Sequence, residues 1–416
     1  MTGIDNTDKG SDVDSGPALG AEQAGDEQCG CGSGLLYKNC CGAPGRTAVN
    51  APLLARVSSQ GVDGLDNLTV ELQSAIDNIS KQPDWFPARI NFFEDTAYFV
   101  KMSLQWYRDS VFLDPARMKG SCVIASDLDW LQQVSGQVEW QPTGFIFHTA
   151  FCGSTLMSQA LAAVFNGLPL REPEVLGNLL VYLRSQRSAP QEYDARIQQI
   201  LNLLSRSYDA GQYAVVKAND YANPLMPELL KRHELPVLFM YTPLGEFLAG
   251  CLKADNRREW IRQRFQSVQR FAPQLLRWPE PFAINDDAYG EMAAVYWSYN
   301  IALFLDALRI TPGRVCSLDF NDMLSDPLAA VQRAGQWFGL QPRSDVDAKA
   351  QMDGLFGVYS KNSRFKYSPQ QRNTDIARIL EQNSDQLPAA EALAKQLLGD
   401  DYPKQRLPAP LLNQVG

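Results

Sequence analysis

The chain has 416 residues and contains no apolar run near the roughly 18 residues that a membrane-spanning helix needs. The N-terminal stretch "MTGIDNTDKGSDVDSG" has neither a basic region nor an apolar segment, so it is not a secretory signal. Basic residues are not in excess, since 38 Lys and Arg oppose 47 Asp and Glu, giving a net charge of −9. These absences argue against a membrane protein, a secreted protein and a general nucleic-acid binder.

The spacing of the cysteines does not indicate a disulfide framework. Four of the eight cysteines lie within residues 29–41. The other four stand among apolar neighbours, at Cys122, Cys152, Cys251 and Cys316. This usage favours a reducing, cytoplasmic location. Apolar residues make up 45% of the chain, which is ordinary globular composition, and the length suggests two or three units.

The chain divides by composition into four parts. Residues 1–28 are rich in Gly, Asp and Ser, which predicts a disordered acidic tail, and residues 29–43 form a cysteine-dense module. For residues 44–138 we predict a mainly helical segment. The stretches "DNLTVELQSAIDNIS" and "FFEDTAYFVKMSLQWY" both place apolar residues near helical spacing. We see no residues in this segment that indicate chemistry.

Residues 139–416 alternate short apolar stretches with longer helical patterns. "GFIFHT" precedes "STLMSQALAAVF", and "YAVVKAN" precedes "PLMPELLKR". Such alternation predicts an α/β domain with a parallel sheet flanked by helices. The carboxyl ends of its strands would share one edge, where ligands bind in such folds.

The cysteine module "CGCGSGLLYKNCCG" has the composition of a zinc site. Cys29 and Cys31 are one residue apart, and Cys40 and Cys41 are adjacent. Four thiolates can bind zinc tetrahedrally in a closed, structural site, and metal binding would supply most of the folding energy. The alternative is a set of unmetallated surface thiols. The stretch closely resembles the SEC-C motif, found at the tail of the SecA translocation ATPase and in many bacterial proteins. That resemblance implies docking to a partner protein.

The stretch "FHTAFCGST" has the layout of a phosphate-binding loop. The chain turns through Cys152 and Gly153, and a helix should begin near Ser154 or Thr155. Amide groups at a helix start, together with its dipole, favour an anion. Gly153 would allow close backbone approach, and the two hydroxyls add donors. The alternative is a tight strand-to-helix connection with no ligand. The Walker A lysine is absent, which weakens an ATPase or kinase interpretation.

Four stretches in residues 139–375 resemble the sulfotransferase superfamily, in the family's order. They are "FCGSTLMSQAL", "VVKANDYANPLMPELL", "VLFMYTPLGEFLAGCLK" and "SLDFNDMLSDPLAAVQRAGQWFGL". The resemblance implies a P-loop fold and transfer of sulfuryl from the nucleotide PAPS. Gly153, Ser154 and Thr155 match the loop that binds the 5′-phosphosulfate. Lys217 matches the family lysine that reaches the sulfuryl group, although a solvated lysine at a strand end is the alternative.

The sequence departs from the family at four positions. Phe151 replaces a loop Lys or Arg, and Asn219 replaces the catalytic histidine. Tyr241 and Ala249 replace the Arg and Ser that hold the nucleotide 3′-phosphate. Basic residues that follow could substitute for the lost contacts. The first group contains Arg257 and Arg258, beside Lys253, Arg262 and Arg264; the second contains Lys361, Arg364 and Lys366, beside Arg372.

Glu172 and Asp220 are the two candidates for the general base. Glu172, in "LREPEVL", is the favoured candidate, because a related branch of the family uses a glutamate in this region. Asp220 is the second carboxylate, and either would need a raised pKa to act near neutral pH. His148 ends the first strand and could contact the phosphosulfate or simply bond the loop backbone. His233, the other histidine, fits a surface connection.

The sequence therefore predicts a cytoplasmic, PAPS-dependent sulfotransferase-like enzyme with an N-terminal zinc-binding docking module. Its acceptor would be a hydroxyl or amine on a small molecule or peptide. The first alternative is a non-catalytic relative that binds a nucleotide or a partner. The second is a P-loop kinase, which would need a loop lysine and a magnesium ligand.

The four cysteines of the module predict one bound zinc ion. Protein purified without chelator should contain about one zinc per chain, because four thiolates saturate a tetrahedral site. Cys40→Ser should lose the metal. Elemental analysis of both proteins checks this, and wild-type protein without metal would refute the site.

Overall fold

The computed structural model describes residues 53–58, 61–63, 70–113, 122–185, 189–209, 211–278, 284–359, 362–366 and 368–412. The predicted acidic tail and the cysteine module, at 1–28 and 29–43, lie outside these residues. Within them, no helix is both long and apolar enough to cross a membrane. The described chain contains two five-stranded sheets that share a hydrophobic core.

The first sheet is mixed and lies in the N-terminal part of the chain. Its strands are β1 Leu53–Ser58, β2 Gly61–Asp63, β3 Trp85–Asn91, β4 Thr96–Lys101 and β5 Val123–Ser126. Their spatial order is β2-β1-β5-β4-β3, and only the β1–β5 pair is parallel. Three short helices accompany it: α1 Val70–Asn78, α2 Leu104–Asp109 and α3 Leu128–Gly136.

The prediction of a mainly helical segment at 44–138 is wrong for its described part. The helix predicted from "DNLTVELQSAIDNIS" is present as α1, but "FFEDTAYFVKMSLQWY" forms a turn, β4 and only then α2. Asp95 adopts a left-handed φ of 50° in the turn that closes the β3–β4 hairpin. Four of the six residues in "TAYFVK" are aromatic or β-branched, and such residues fit a pleated surface better than a helix. Hairpin pairing therefore outweighed the apparent helical spacing.

The second sheet is wholly parallel and confirms the predicted α/β class. Its strands are β6 Thr143–His148, β7 Gly167–Arg171, β8 Tyr213–Lys217, β9 Val237–Tyr241 and β10 Val315–Asp319. Their order is β10-β9-β6-β8-β7. Nearly every residue in these strands is buried, as expected for a sheet covered on both faces.

Helices cover both faces of the parallel sheet. They are α4 Ser154–Val164, α5 Glu174–Arg184, α6 Pro190–Ser205, α7 Leu225–Arg232, α8 Leu244–Leu252, α9 Asp255–Gln269, α10 Tyr289–Ile310, α11 Phe320–Ser325, α12 Pro327–Trp337, α13 Ala348–Phe356, α14 Pro369–Gln382 and α15 Gln386–Leu398. α4, α12 and α13 pack on one face in a separate core, while α7, α8 and α10 belong to the larger core that the first sheet joins. A hairpin, β11 Val358–Tyr359 with β12 Asn362–Lys366, follows α13.

The strand order places a ligand crevice at the end of β6. From β6 the chain goes first to β7 and β8 on one side, and then crosses to β9 and β10 on the other. In open parallel sheets, ligands bind beyond the carboxyl ends of the strands where the order reverses in this way. The loop between β6 and α4 stands at that point.

A buried arginine joins the two sheets. Arg206, directly after α6, is only 3% exposed. Its guanidinium donates to the carbonyls of Gln82 at 3.1 Å, Trp85 at 2.9 Å and Leu203 at 2.8 Å, and also to Ile79. Burial lowers its pKa to about 10, so it stays charged near neutral pH. The chain around α1 and β3 is thereby tied to the parallel sheet.

Arg206→Ala should lower the free energy of unfolding by about 3 kcal/mol, because several buried carbonyls lose a charged donor. Arg309→Ala is the matched control, since Arg309 is 60% exposed and pairs with Asp401 at the surface. It should cost less than about 1 kcal/mol. Urea unfolding of both variants measures the difference, and equal losses would contradict the proposed tie.

Candidate functional site

The loop between β6 and α4 has a run of left-handed backbone. Ala150 has φ 69°, Phe151 has φ 53° and Gly153 has φ 71°. The amide N–H groups from Phe151 to Thr155 donate to no backbone carbonyl in the described part of the chain. A left-handed residue other than glycine costs about 1–2 kcal/mol, so the surrounding contacts must enforce this shape. Successive amides in such a turn form a concave anion site.

His148 holds the start of the loop. Its ring is buried, with Nδ1 accepting from the Ala150 N–H at 3.0 Å and Nε2 lying 3.0 Å from the Ala218 carbonyl. Because Nδ1 accepts a hydrogen bond, Nε2 carries the proton and donates to Ala218. Both ring nitrogens are engaged by backbone. Of its two predicted roles, the structure favours bonding of the loop backbone over contact with a phosphosulfate.

Gly153 and Cys152 fix the other end of the loop. A Cβ on Gly153 would lie 2.3 Å from Cε2 of Phe320, so any side chain would collide with that ring. The Cys152 side chain is buried and its thiol donates to the Met240 carbonyl at 3.3 Å. Burial raises the pKa of Cys152 to about 11 despite the nearby charge of Lys217. Cys152 therefore contributes its backbone to the loop, whereas its thiol packs into the sheet.

Lys217 and Glu172, predicted separately as cation and base, are in direct contact. Lys217 ends β8 and its side chain is only 1% exposed, while that of Glu172 is 18% exposed. The Lys217 Nζ donates to a carboxylate oxygen of Glu172. The Glu172 backbone is left-handed, at φ 55°, and its N–H donates to the Lys217 carbonyl at 2.6 Å. Lys217 is thus a buried, paired cation and not a solvated strand-end lysine.

Arg171 brings a segment of the N-terminal part to the same edge. It ends β7 opposite Lys217, and its guanidinium donates to the carbonyls of Tyr107 at 3.2 Å and Arg108 at 3.0 Å. The Lys217 ammonium then lies 5.8 Å from the ring centroid of Phe112. We found no chemistry in this segment from the sequence. The position of this segment depends on Arg171. The sequence pattern does not indicate that role, although Arg171 stands directly before Glu172.

Asp220 is held in a structural ion pair. Arg264 Nε donates to its carboxylate at 2.7 Å, and the Tyr296 hydroxyl donates at 2.6 Å. Burial alone would raise the pKa of Asp220, but the Arg264 charge and hydrogen bonds lower it to about 2. A general base near neutral pH needs the opposite shift. The pairing with Arg264 therefore argues against Asp220 as the general base, and Glu172 remains the predicted candidate.

Phe151, which stands in place of a loop cation, packs into an aromatic cluster. Its ring centroid lies 4.8 Å from that of Trp260 and 5.8 Å from that of Phe247. A Cβ on Gly250 would lie 2.7 Å from the Phe151 ring. The Arg257 guanidinium lies over the ring, 4.7 Å from its centroid, which is a cation–π distance. Arg257, one of the predicted substitutes, thus stands beside the loop.

The other predicted basic residues lie elsewhere or are not placed. Arg258 pairs with Asp255 at 3.1 Å on the surface of its own helix. Lys361 is outside the described residues, and the side chains of Arg364 and Lys366 in β12 are not described. Arg372 pairs with Glu246, and its guanidinium lies 4.8 Å from the centroid of Phe320, the ring against Gly153.

Tyr241, Ala249 and Asn219 are the other three positions that were predicted to depart from the sulfotransferase pattern. The Tyr241 hydroxyl accepts from the Leu407 N–H at 3.0 Å, and Ala249 is buried within α8. The Asn219 Oδ1 is buried and has no hydrogen-bond partner among the described residues. Neither Tyr241 nor Ala249 offers a cation to a 3′-phosphate, and Ala249 has no hydroxyl group. Asn219 keeps an acceptor oxygen at the end of β8.

The predicted zinc ligands are untested by the structure. Cys29, Cys31, Cys40 and Cys41 lie outside the described residues. Within the described ranges, no group of three or more His, Cys, Asp or Glu side chains is arranged to hold a metal ion.

No protein-family model and no curated protein matches the chain. Among solved structures, it is similar to a sulfotransferase domain from the curacin biosynthetic pathway, with 13% identity, TM-score 0.33, and coverage of 59% of this chain and 99% of that domain. A sulfotransferase from Mycobacterium avium is 12% identical, with TM-score 0.33 and coverage of 61% and 80%. A sulfotransferase domain from the olefin synthase of Synechococcus PCC 7002 is 13% identical, with TM-score 0.30 and coverage of 59% and 98%.

Asp319, at the end of β10, generates a pH prediction. Burial raises its pKa from 3.8 to about 6, although the Asn321 N–H opposes the shift. The folded state therefore binds the proton more tightly than the unfolded state. The stability that this proton provides is complete below pH 3.8 and is lost as the pH rises through about 6.

Asp319→Asn should remove this loss, because asparagine is neutral and keeps the oxygen that accepts from Asn321. We expect the variant to be more stable than wild type near pH 8 and to lose that advantage below about pH 4. Urea unfolding at both pH values measures it. A stability difference that does not change with pH would contradict the assignment.

Proposed function

We propose that the protein transfers a sulfuryl group from PAPS to a hydroxyl or amine acceptor. One observation carries the proposal: the loop amides, which donate to no backbone carbonyl among the described residues, and the buried Lys217 ammonium stand at the same edge of the parallel sheet. Amides in a left-handed turn bind oxyanions, and a fixed cation stabilises charge on a leaving group. The sulfotransferase-like motifs in the sequence indicate which anion is meant.

The residues present fit a 5′-phosphosulfate at the loop. The amides of residues 151–155, with the hydroxyls of Ser154 and Thr155, would bind its oxygens. Arg257, held over Phe151, would supply the cation that a loop lysine provides elsewhere. The basic residues of the β11–β12 region, Lys361, Arg364 and Lys366, would cover the nucleotide.

The chain's own residues would serve three functions in the transfer. The acceptor oxygen or nitrogen forms a bond to sulfur while the bond from sulfur to the phosphate oxygen breaks. Lys217 would stabilise the charge that develops on that oxygen, and Glu172 would accept the acceptor proton. Reactions of this type need positioning more than covalent help, and the loop provides that positioning.

We also propose that the cysteine module at 29–43 binds zinc and docks the enzyme to a protein partner. The proposal rests on the SEC-C-like arrangement of its four cysteines. With four cysteine ligands the module has no open coordination position, so its zinc would be structural and not catalytic.

The proposal predicts that the product nucleotide PAP binds wild-type protein with micromolar affinity. Lys217→Ala should weaken this binding at least about tenfold, because a buried cation facing the anion is lost. Isothermal titration calorimetry measures both. Lys231→Ala is the control, since Lys231 is half exposed and pairs with Glu228 at the surface.

Three outcomes are informative. Absence of PAP binding at millimolar concentration would exclude the proposed function. Tight, magnesium-dependent binding of ATP would favour a kinase instead. PAP binding without sulfuryl transfer to any hydroxyl or amine acceptor would favour a non-catalytic nucleotide-binding relative.

A further inference from the structure

We infer that Glu172 and a ligand anion compete for Lys217, so that filling the loop releases Glu172 to accept a proton. The inference rests on the proposed anion site and adds how that site is regulated. It assigns Glu172 two successive states: partner of Lys217 before binding, and free carboxylate afterwards.

Lys217 has one carboxylate as its countercharge in the described part of the chain. Lys217 is 1% exposed, and its carboxylate partner among the described residues is Glu172. A cation so buried needs a counterion, because an isolated charge away from water is strongly disfavoured. The resting protein therefore uses Glu172 to hold the ammonium in place. A bound anion would offer Lys217 a second counterion.

Lys217 ends β8, which lies between β7, followed by Glu172, and β6, followed by the loop. The Lys217 charge acts on the Cys152 thiol, whose own residue belongs to the loop. An oxyanion on the loop amides would thus attract Lys217 and repel Glu172 at the same time. Three ammonium hydrogens are available, but the two anions would both be drawn to one charge.

The backbone of Glu172 is strained, whereas its carboxylate is not fixed by the main chain. Its left-handed φ of 55° is unfavourable for a glutamate, and the hydrogen bond to the Lys217 carbonyl holds it there. Such geometry persists only where the surroundings enforce it, and it is concentrated at functional sites. The backbone bond does not involve the carboxylate. The side chain can therefore leave Lys217 while the main chain stays in register.

The groups around Glu172 do not replace Lys217. Glu174 is two residues away and pairs with Arg89 at 3.5 Å. Tyr221 is partly buried nearby, and desolvation together with both glutamates raises the pKa of its hydroxyl. Arg171 points toward Tyr107, Arg108 and Ser158. A Glu172 carboxylate that loses Lys217 would thus lie among neutral or already paired groups, with no cation to oppose the transfer of a proton to it.

Calorimetric titration of PAP at about pH 6.5, in buffers of different ionisation enthalpy, counts the protons exchanged. Wild type should take up more protons than Glu172→Gln, because glutamine cannot be protonated. Glu172→Gln should also bind PAP about tenfold more tightly, since the competing carboxylate is gone. Glu228→Gln, which removes a surface carboxylate paired with Lys231 and Arg232, should match wild type in both measurements.

The outcomes separate this inference from the proposed function. If wild type does not bind PAP, both are overturned. If it binds PAP but wild type and Glu172→Gln exchange equal numbers of protons, only the competition is overturned. Weaker binding by a folded Glu172→Gln would likewise overturn it.

Discussion

A lysine ammonium buried at the end of a parallel strand is the constraint on which the site depends. Lys217 cannot reach water, so the next strand must supply a carboxylate within contact distance. Glu172 does so only because the β7–β8 register sets Arg171 opposite Lys217, and the chain then turns left-handed. The loop follows β6, which borders β8 on the side opposite β7. The β7–β8 register, the left-handed backbone of Glu172 and the Lys217–Glu172 ion pair therefore depend on one another at this edge of the sheet.

The buried cations of this protein are stabilised in two different ways. Arg206 and Arg171 donate to backbone carbonyls, which cannot leave, so these side chains act as fixed ties between elements. Lys217 and Arg264 are paired with carboxylates. Asp220 has further donors that keep it ionised, whereas Glu172 has Lys217 as its ion-pair partner among the described residues. That difference makes one pair permanent and the other exchangeable.

Much of the parallel sheet was predictable, because buried strands separated by helices leave a strong hydrophobic pattern. The loop was predictable too, since glycine and hydroxyl residues follow directly after a strand. The β3–β4 hairpin was not, because "TAYFVK" has apolar spacing that fits both a helix and a strand. The contact between Lys217 and Glu172 depends on strand order, which links residues 45 apart in the chain. The reach of Arg257 to Phe151 depends likewise on how two helices pack.

The packing of Phe151 has an evolutionary consequence. Its ring fills space that Gly250 leaves open, and Arg257 lies on its outer face. A lysine at position 151 would leave a gap beside Gly250 and remove the aromatic platform under Arg257. A larger residue at position 250 would collide with Phe151 as long as the ring is present. Substitutions at these three positions are therefore coupled, and a change at one should be tolerated best when the others change with it.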